Sequence, residues 1–129
     1  EAANLGTDTF KCVLTSSSYT PSQSTHDELA DVTNILSTAN GYSTATLASV
    51  TWAQTSGTAK FDAADVVWTA SGGSIGPARY FVCYDDTVSG DPLVGYGLLD
   101  NAPADVTVTD GNTLTIVWNS NGLFTSAIQ

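Results

Sequence analysis

From Leu93 onward the chain alternates β-branched and aromatic residues with small polar ones, in runs too short for helices that each stop at Gly, Asn, Asp or Pro. The runs cover 92–99, 106–108 and 113–118, and the stops are 100–103, 110–112 and 119–122. Such alternation suits a half-buried pleated surface, while the turn residues supply backbone angles that other side chains resist. It predicts a small antiparallel β domain. The Asp110-Gly111 turn sharpens the expectation. A two-residue loop would set Val108 against Thr113 and Val106 against Thr115, leaving Leu114, Ile116 and Trp118 on the other face. A three-residue loop over 110–112 pairs Thr109 with Thr113, Val108 with Leu114 and Val106 with Ile116. Burial on one face requires that register, because a slip of one residue turns every side chain over. A hairpin with a three-residue loop or a bulge is therefore expected, with Gly111 or Asn112 in the left-handed region.

Upstream, the same reading gives one helix in a run of strands. Residues 1–8 are polar and read as an arm, and 9–129 as a single β-sandwich domain, jelly-roll or Ig-like. A first strand falls near 9–15, followed by a loop over 16–24 in which Pro21 holds Thr20 extended. Thr25-His26-Asp27-Glu28 has capping-box spacing, its acids suit the positive end of a helix dipole, and Leu29, Val32, Ile35 and Leu36 form an apolar face. One short α-helix near 25–37 is expected, closed by Asn40-Gly41. Strands follow at 42–53, 58–62 and 65–69, then a glycine-rich connection over 71–77. The segment 78–84 reads as a central strand in which Arg79, the sole charge, should pair with a carboxylate or lie over an aromatic ring.

Thirteen acidic residues against three basic ones, Lys11, Lys60 and Arg79, give a formal net charge of −10. Phosphates could not be neutralised by such a chain, so a nucleic-acid partner is excluded. Eleven of the acids are Asp, which favours turns, so the charge should lie on loops, either as a solubility shell for salty water or a dense assembly or simply as the surface of an acidic soluble protein. No apolar stretch approaches the ~20 residues of a membrane span, and no basic-then-hydrophobic leader opens the chain. It reads as soluble. The absence of Met and the start at Glu1 fit a processed, trimmed or renumbered product. Cys12 shares a strand face with Phe10 and Leu14, and Cys83 with Phe81. Two buried thiols fit assembly in a reducing cytoplasm, an intersheet disulfide being the alternative.

The parts of a catalytic centre are mostly missing. His26 is the sole histidine and sits among polar residues, a solvated position; two cysteines and one histidine make no metal site. No Gly-x-Ser-x-Gly elbow and no Cys beside a base occurs, so nucleophilic catalysis has no components. Asp85, Asp86 and Asp91, or Asp105, Asp110 and Asn112, could offer oxygens to Ca²⁺, but neither set follows EF-hand spacing and acidic turns are ordinary in β proteins. Two Asp could converge as a glycosidase pair, yet nothing selects which two. Trp52, Trp68, Trp118, Tyr19, Tyr42, Tyr80, Tyr84 and Tyr96 could form a sugar-stacking platform. Their strand positions favour ordinary core and cross-strand roles instead. The chain reads as no enzyme, with no cofactor.

One resemblance adds to this. Phe10-Lys11-Cys12-Val13-Leu14, Ser18-Tyr19-Thr20-Pro21, His26-Asp27, Asp31-Val32-Thr33-Asn34, Gly41-Tyr42, Lys60-Phe61-Asp62-Ala63-Ala64-Asp65-Val66-Val67-Trp68, Ala78-Arg79-Tyr80, Leu93-Val94-Gly95-Tyr96 and Trp118-Asn119-Ser120-Asn121-Gly122-Leu123-Phe124 occur in an order that resembles a family of small structural proteins of tailed bacteriophages. It spans about residues 9 to 125. The resemblance implies a noncatalytic β module, assembled in the host cytoplasm, that binds the major capsid protein or other virion subunits and repeats as a homo-oligomer on the particle. A capsid decoration or cement protein on the outer shell is the first expectation. A tail, neck or fibre-tip component is the second, and a carbohydrate-binding module the third. Candidate contacts are Leu5 in the arm, Gly73 and Ile75 in the glycine loop, and Leu93, Val94, Tyr96 and Leu98 on a strand edge. Glycines flanking Tyr96 weaken that strand and often mark the close approach of another backbone.

Overall fold

The computed structural model describes residues 7–55, 57–100, 102, 104–118 and 124–127. They form a mainly β chain with eleven strands: β1 (Phe10–Thr15), β2 (Ala45–Thr46), β3 (Thr51–Thr55), β4 (Thr58–Asp62), β5 (Val66–Thr69), β6 (Ile75–Ala78), β7 (Tyr80–Asp85), β8 (Leu93–Leu98), β9 (Val106–Val108), β10 (Thr113–Ile116) and β11 (Phe124–Ala127). Every ladder is antiparallel. The largest sheet runs β2-β1-β7-β8, and smaller ones run β11-β4-β3, β10-β5 and β6-β9.

The two-residue period explains how the large sheet buries both faces. Phe10, Cys12 and Leu14 of β1 face the main core with Cys83 of β7, where they meet Phe61, Val66, Trp68, Ile75, Val108, Leu114 and Ile116 from the smaller ladders. The intervening residues, Val13 of β1 with Val82 and Tyr84 of β7, face the opposite way and pack under Tyr19 and Val32 of the 16–36 segment. One sheet thus separates two apolar clusters. Cys12 and Cys83 lie directly opposite one another on neighbouring strands of that sheet, as buried free thiols, so the pairing across two sheets does not arise. The hydrogen bond that the protonated Cys83 thiol shares with Cys12 is the largest cause that pushes this thiol up, and burial pushes it the same way.

The expected α-helix at 25–37 is absent. A single 3-10 turn, Leu29–Asp31, stands in its place. Its capping box lies three residues later than expected, between Glu28 and Asp31, and the Asp31 carboxylate accepts the N–H groups of Glu28 and Asp27 at 3.2 and 3.1 Å. Those two donors hold the Asp31 carboxyl below its ordinary range. Beyond the turn the chain goes extended at Val32, and Asn34 takes φ 58°. Leu36 N–H then bonds Leu14 O at 2.9 Å, and Ser16 N–H bonds Asn34 O at 3.1 Å, alongside the end of β1. Val32, Thr33 and Ile35 are stiff, β-branched helix formers of low rank, and pairing with a strand edge outweighed the local helix pattern. Leu29 and Val32 enter the outer cluster while Leu36 enters the main core, so the apparent helical stripe divides between the two faces of the sheet.

The expected 106–116 hairpin is also corrected. β9 pairs with β6 and β10 with β5, and no ladder joins β9 to β10. The turn itself exists: Asn112 N–H bonds Thr109 O at 3.0 Å, and Gly111 takes φ 86°. Only this second central residue has positive φ, the type II pattern, which splays flanking strands where a primed turn would bring them together. Gly111 N–H bonds Ala70 O and Asn112 O accepts from Ala70 N–H, both at 2.8 Å, anchoring the turn to the end of β5. The inward faces follow the expected side chains, since Val108, Leu114 and Ile116 are all buried. The expected 42–53 strand breaks into β2 and β3 at Ser49, which has φ 53°. No helix among the described residues is long and apolar enough to cross a membrane.

Candidate interaction groove along the β8 edge

Strand β8 is held by β7 on one side, with no strand on its other side among the described residues. Tyr96 opposes Val82, Gly97 opposes Phe81 and Leu98 opposes Tyr80, but the register shifts between Cys83 and Tyr84, which face Gly95 and Leu93. Val94 is the extra residue of this bulge. The shift turns Leu93 toward the outer cluster and Val94 toward the main core, so the strand end is fastened on both faces. Further along, Tyr96 and Leu98 stay 42% and 37% exposed.

A groove of about 680 Å³ follows this edge. On the outer-cluster side it is bounded by Tyr19, Ser22, Gln23 and His26, and on the core side by Phe81 and by 115–118 at the end of β10. Tyr19 anchors the first wall. Its ring is buried, stacks on His26 at 5.6 Å and meets Tyr80 edge-on at 6.1 Å, while its hydroxyl lies 3.1 Å from His26 Nδ1. Burial pushes that hydroxyl above its ordinary pKa. On the second wall Trp118 donates Nε1–H to Ala64 O at 3.0 Å and receives the Phe81 ring edge-on at 5.6 Å.

The glycines flanking Tyr96 are not equivalent. A Cβ at Gly97 would stand 2.6 Å from Phe81 Cε1 and Cζ, so the Phe81 ring already occupies that space. A Cβ at Gly95 would meet nothing within 4 Å. The edge therefore carries an open notch at Gly95, beside a filled one.

The groove's electrostatics contrast with the rest of the chain. None of its lining residues is Asp, Glu, Lys or Arg. Acids instead mark its ends: Asp91 precedes Pro92 and Leu93, Leu93 N–H bonds Asp27 O at 2.9 Å, Asp100 follows Leu99, and Trp118 N–H points at Asp65 Oδ1 at 3.4 Å. The three cations sit elsewhere, each against a carboxylate: Lys11 on Asp86 at 2.8 Å, Lys60 on Asp62 at 3.4 Å, Arg79 on Asp105 at 2.8 Å. Arg79 thus has the carboxylate partner its position called for.

Leu93, Val94, Tyr96 and Leu98 all line this groove. Gly73 lies apart from it, with the Asn40 side chain against its α-carbon, and Ile75 is a core residue at 2% exposure, packed where β6 meets β9. A side chain so enclosed offers little surface to a partner in this structure. Leu5 lies outside the described residues. The Asp sets weighed for Ca²⁺ do not assemble, and no group of three or more His, Cys, Asp or Glu converges among the described residues. Asp86 holds Lys11, Asp105 holds Arg79, and Asp110 Oδ1 accepts the Gly72 N–H at 3.0 Å. Sequence reasoning did not find Tyr19, Ser22, Gln23, His26 and Trp118 as groove residues. Their approach to β8 depends on the 16–28 loop folding back over the sheet, for which no local pattern exists; the aromatic Tyr19 just before Pro21 was the nearest signal. Neither a family model, nor a curated protein, nor a solved structure matches this chain.

Proposed function

We propose that this chain is a noncatalytic structural protein of a tailed-bacteriophage virion, a β-sandwich that decorates the outer shell and is held there by protein contacts along β8. The sandwich reading is supported by a main core that draws side chains from the large sheet on one side and from β4, β5, β6, β9 and β10 on the other. The attachment reading rests on one observation: a partly open groove whose lining holds no Asp, Glu, Lys or Arg runs along an edge of β8 that no strand covers among the described residues, in a chain of net charge −10. Edge strands are a hazard that proteins blunt with charge, Pro or a covering element. β8 has no charged residue at all, and keeps Tyr96 and Leu98 open to solvent. An edge left in that state suits a surface that is covered on assembly, and repetition on a particle multiplies weak contacts into firm attachment.

Copies of this chain per purified virion, counted by quantitative mass spectrometry against the major capsid protein, test this reading. Hundreds of copies are expected. A handful, in multiples of three or six, would move the chain to the tail, neck or fibre tip, and none would overturn the virion assignment.

A further inference from the structure

We propose that the β8 groove accepts an extended segment of a partner protein as an added antiparallel or parallel strand, apolar in its middle and carrying Lys or Arg at its ends. The proposal rests on the attachment reading above and adds the chemistry of what attaches. Three features define the occupant. Beyond Leu93, whose N–H is taken by Asp27 O, alternate backbone N–H and C=O groups of β8 point away from β7 with no strand against them among the described residues, and a strand is the element that satisfies such a row. The Gly95 notch is open while its neighbour at Gly97 is filled by Phe81, so one side chain of the incoming strand is received at a defined place in the register. The lining holds no Asp, Glu, Lys or Arg, yet Asp91 and Asp100 flank β8 along the chain, Asp27 bonds the Leu93 N–H through its carbonyl, and Asp65 Oδ1 lies 3.4 Å from the N–H of the lining residue Trp118. All three of the chain's cations are engaged by carboxylates, so the field around the groove is negative and steers a segment with cationic flanks. A second copy of this chain fits poorly, because it would bring a further −10 to a surface with no cation at the groove to receive it.

The test is a random nonapeptide library, long enough to span the six residues of β8 with flanks, selected against the full chain and against two blocked variants. Gly95→Trp fills the notch from a position with open space above it, and Thr115→Trp crowds the groove from the exposed face of β10. Both should keep the parent's amide NMR dispersion, and either suffices if the other fails to fold. Enriched peptides are expected to alternate apolar and polar residues between basic ends. The best of them should slow amide exchange across 94–98 by about tenfold or more. Exchanging its Lys and Arg for Glu should weaken binding by about tenfold at low salt, a difference that shrinks toward 0.5 M salt. The folded blocked variant should lose binding.

Absence of enrichment, acid-flanked winners, or equal binding to a folded blocked variant would overturn the proposal. Concentration-dependent dimerisation that protects 94–98 would replace the peptide with a second copy. Saccharides that displace the peptide and bind more tightly would replace it with a glycan. Copy number on virions is read separately, so a chain abundant on particles whose Gly95→Trp form still attaches would defeat this inference and leave the virion assignment standing.

Discussion

Replacing Gly97 by Ala and, separately, Gly95 by Ala sets two nearly identical changes on one face of one strand against each other. At 97 the new methyl would lie 2.6 Å from two Phe81 ring atoms. Phe81 cannot move freely, because its ring is packed edge-on against Trp118, which is itself fastened by its bond to Ala64 O. Overpacking of this kind costs about 1–3 kcal/mol, and loosening the aromatic pair adds about 0.5–1.5 kcal/mol where Phe81 is forced off Trp118. At 95 the methyl meets nothing within 4 Å and the backbone is not in the glycine-only region, so restricting the unfolded chain should stabilise by about 0.4–1 kcal/mol. The expected gap between the two variants is therefore roughly 1.5–4 kcal/mol, rising to about 5.5 kcal/mol where Phe81 is forced off Trp118. For a chain of 129 residues, 1 kcal/mol corresponds to roughly 4 °C in Tm. Paired urea titrations followed by tryptophan fluorescence, with calorimetry alongside, measure the gap. Equal stabilities, or a Gly97→Ala protein within about 0.5 kcal/mol of the parent, would show that Phe81 is not pinned and that the two notches are alike.

Three further outcomes follow from buried polar groups. The buried Tyr42 hydroxyl accepts the Leu14 N–H at 3.0 Å, so Tyr42→Phe leaves that amide without its partner and should destabilise by about 1–3 kcal/mol in urea titration; no change would mean that water or another acceptor replaces it. Burial is the main cause that raises the Asp85 carboxyl from 3.8, the neighbouring Asp8 carboxyl raises it further, and the N–H groups of Thr87 and Val88 on Oδ1 oppose the shift. A hydrogen bond between Asp8 and Asp85 needs a proton on one of them, and with both ionised Asp85 Oδ2 is buried without a partner. Because the folded pKa lies above the unfolded one, this carboxyl favours the fold most below 3.8, and that contribution is lost as pH rises through the raised value. Asp85→Asn keeps an oxygen for Thr87 and Val88 and supplies a permanent N–H, so it should remove the loss of stability that the parent shows as pH rises above 3.8; a variant that keeps the parent's loss would refute this account. Finally, Cys83 lines the floor of the groove but is only 2% exposed, Cys12 is fully buried, and the Cys83 thiol is pushed up, so a thiol-specific disulfide reagent at pH 8 should react only at the rate of unfolding; rapid labelling of the native chain would show that the groove admits the reagent to Cys83.

Strand faces, turn sites and the charge balance were all legible in the residues. Phe10, Cys12 and Leu14 point one way and Val13 the other, β4 falls at 58–62, and Gly111 takes the left-handed angle. These follow from side-chain alternation and glycine's missing Cβ, which act within a few residues of chain. Which strands become neighbours was decided elsewhere. Nothing near Asp110 says that β9 will leave β10 for β6, because that depends on Ala70, about forty residues earlier, capturing the turn. Nothing within 25–37 says that its apolar stripe will be pulled apart, because the competing partner is the edge of β1. The groove belongs to the same class: β8 could be read as an edge from its glycines, but the walls that Tyr19, His26 and Trp118 raise beside it exist only once distant segments are packed. Local preferences are worth tenths of a kcal/mol per residue, whereas a buried pairing gathers hydrogen bonds and apolar area over several residues at once, so where the two conflict the tertiary contact wins.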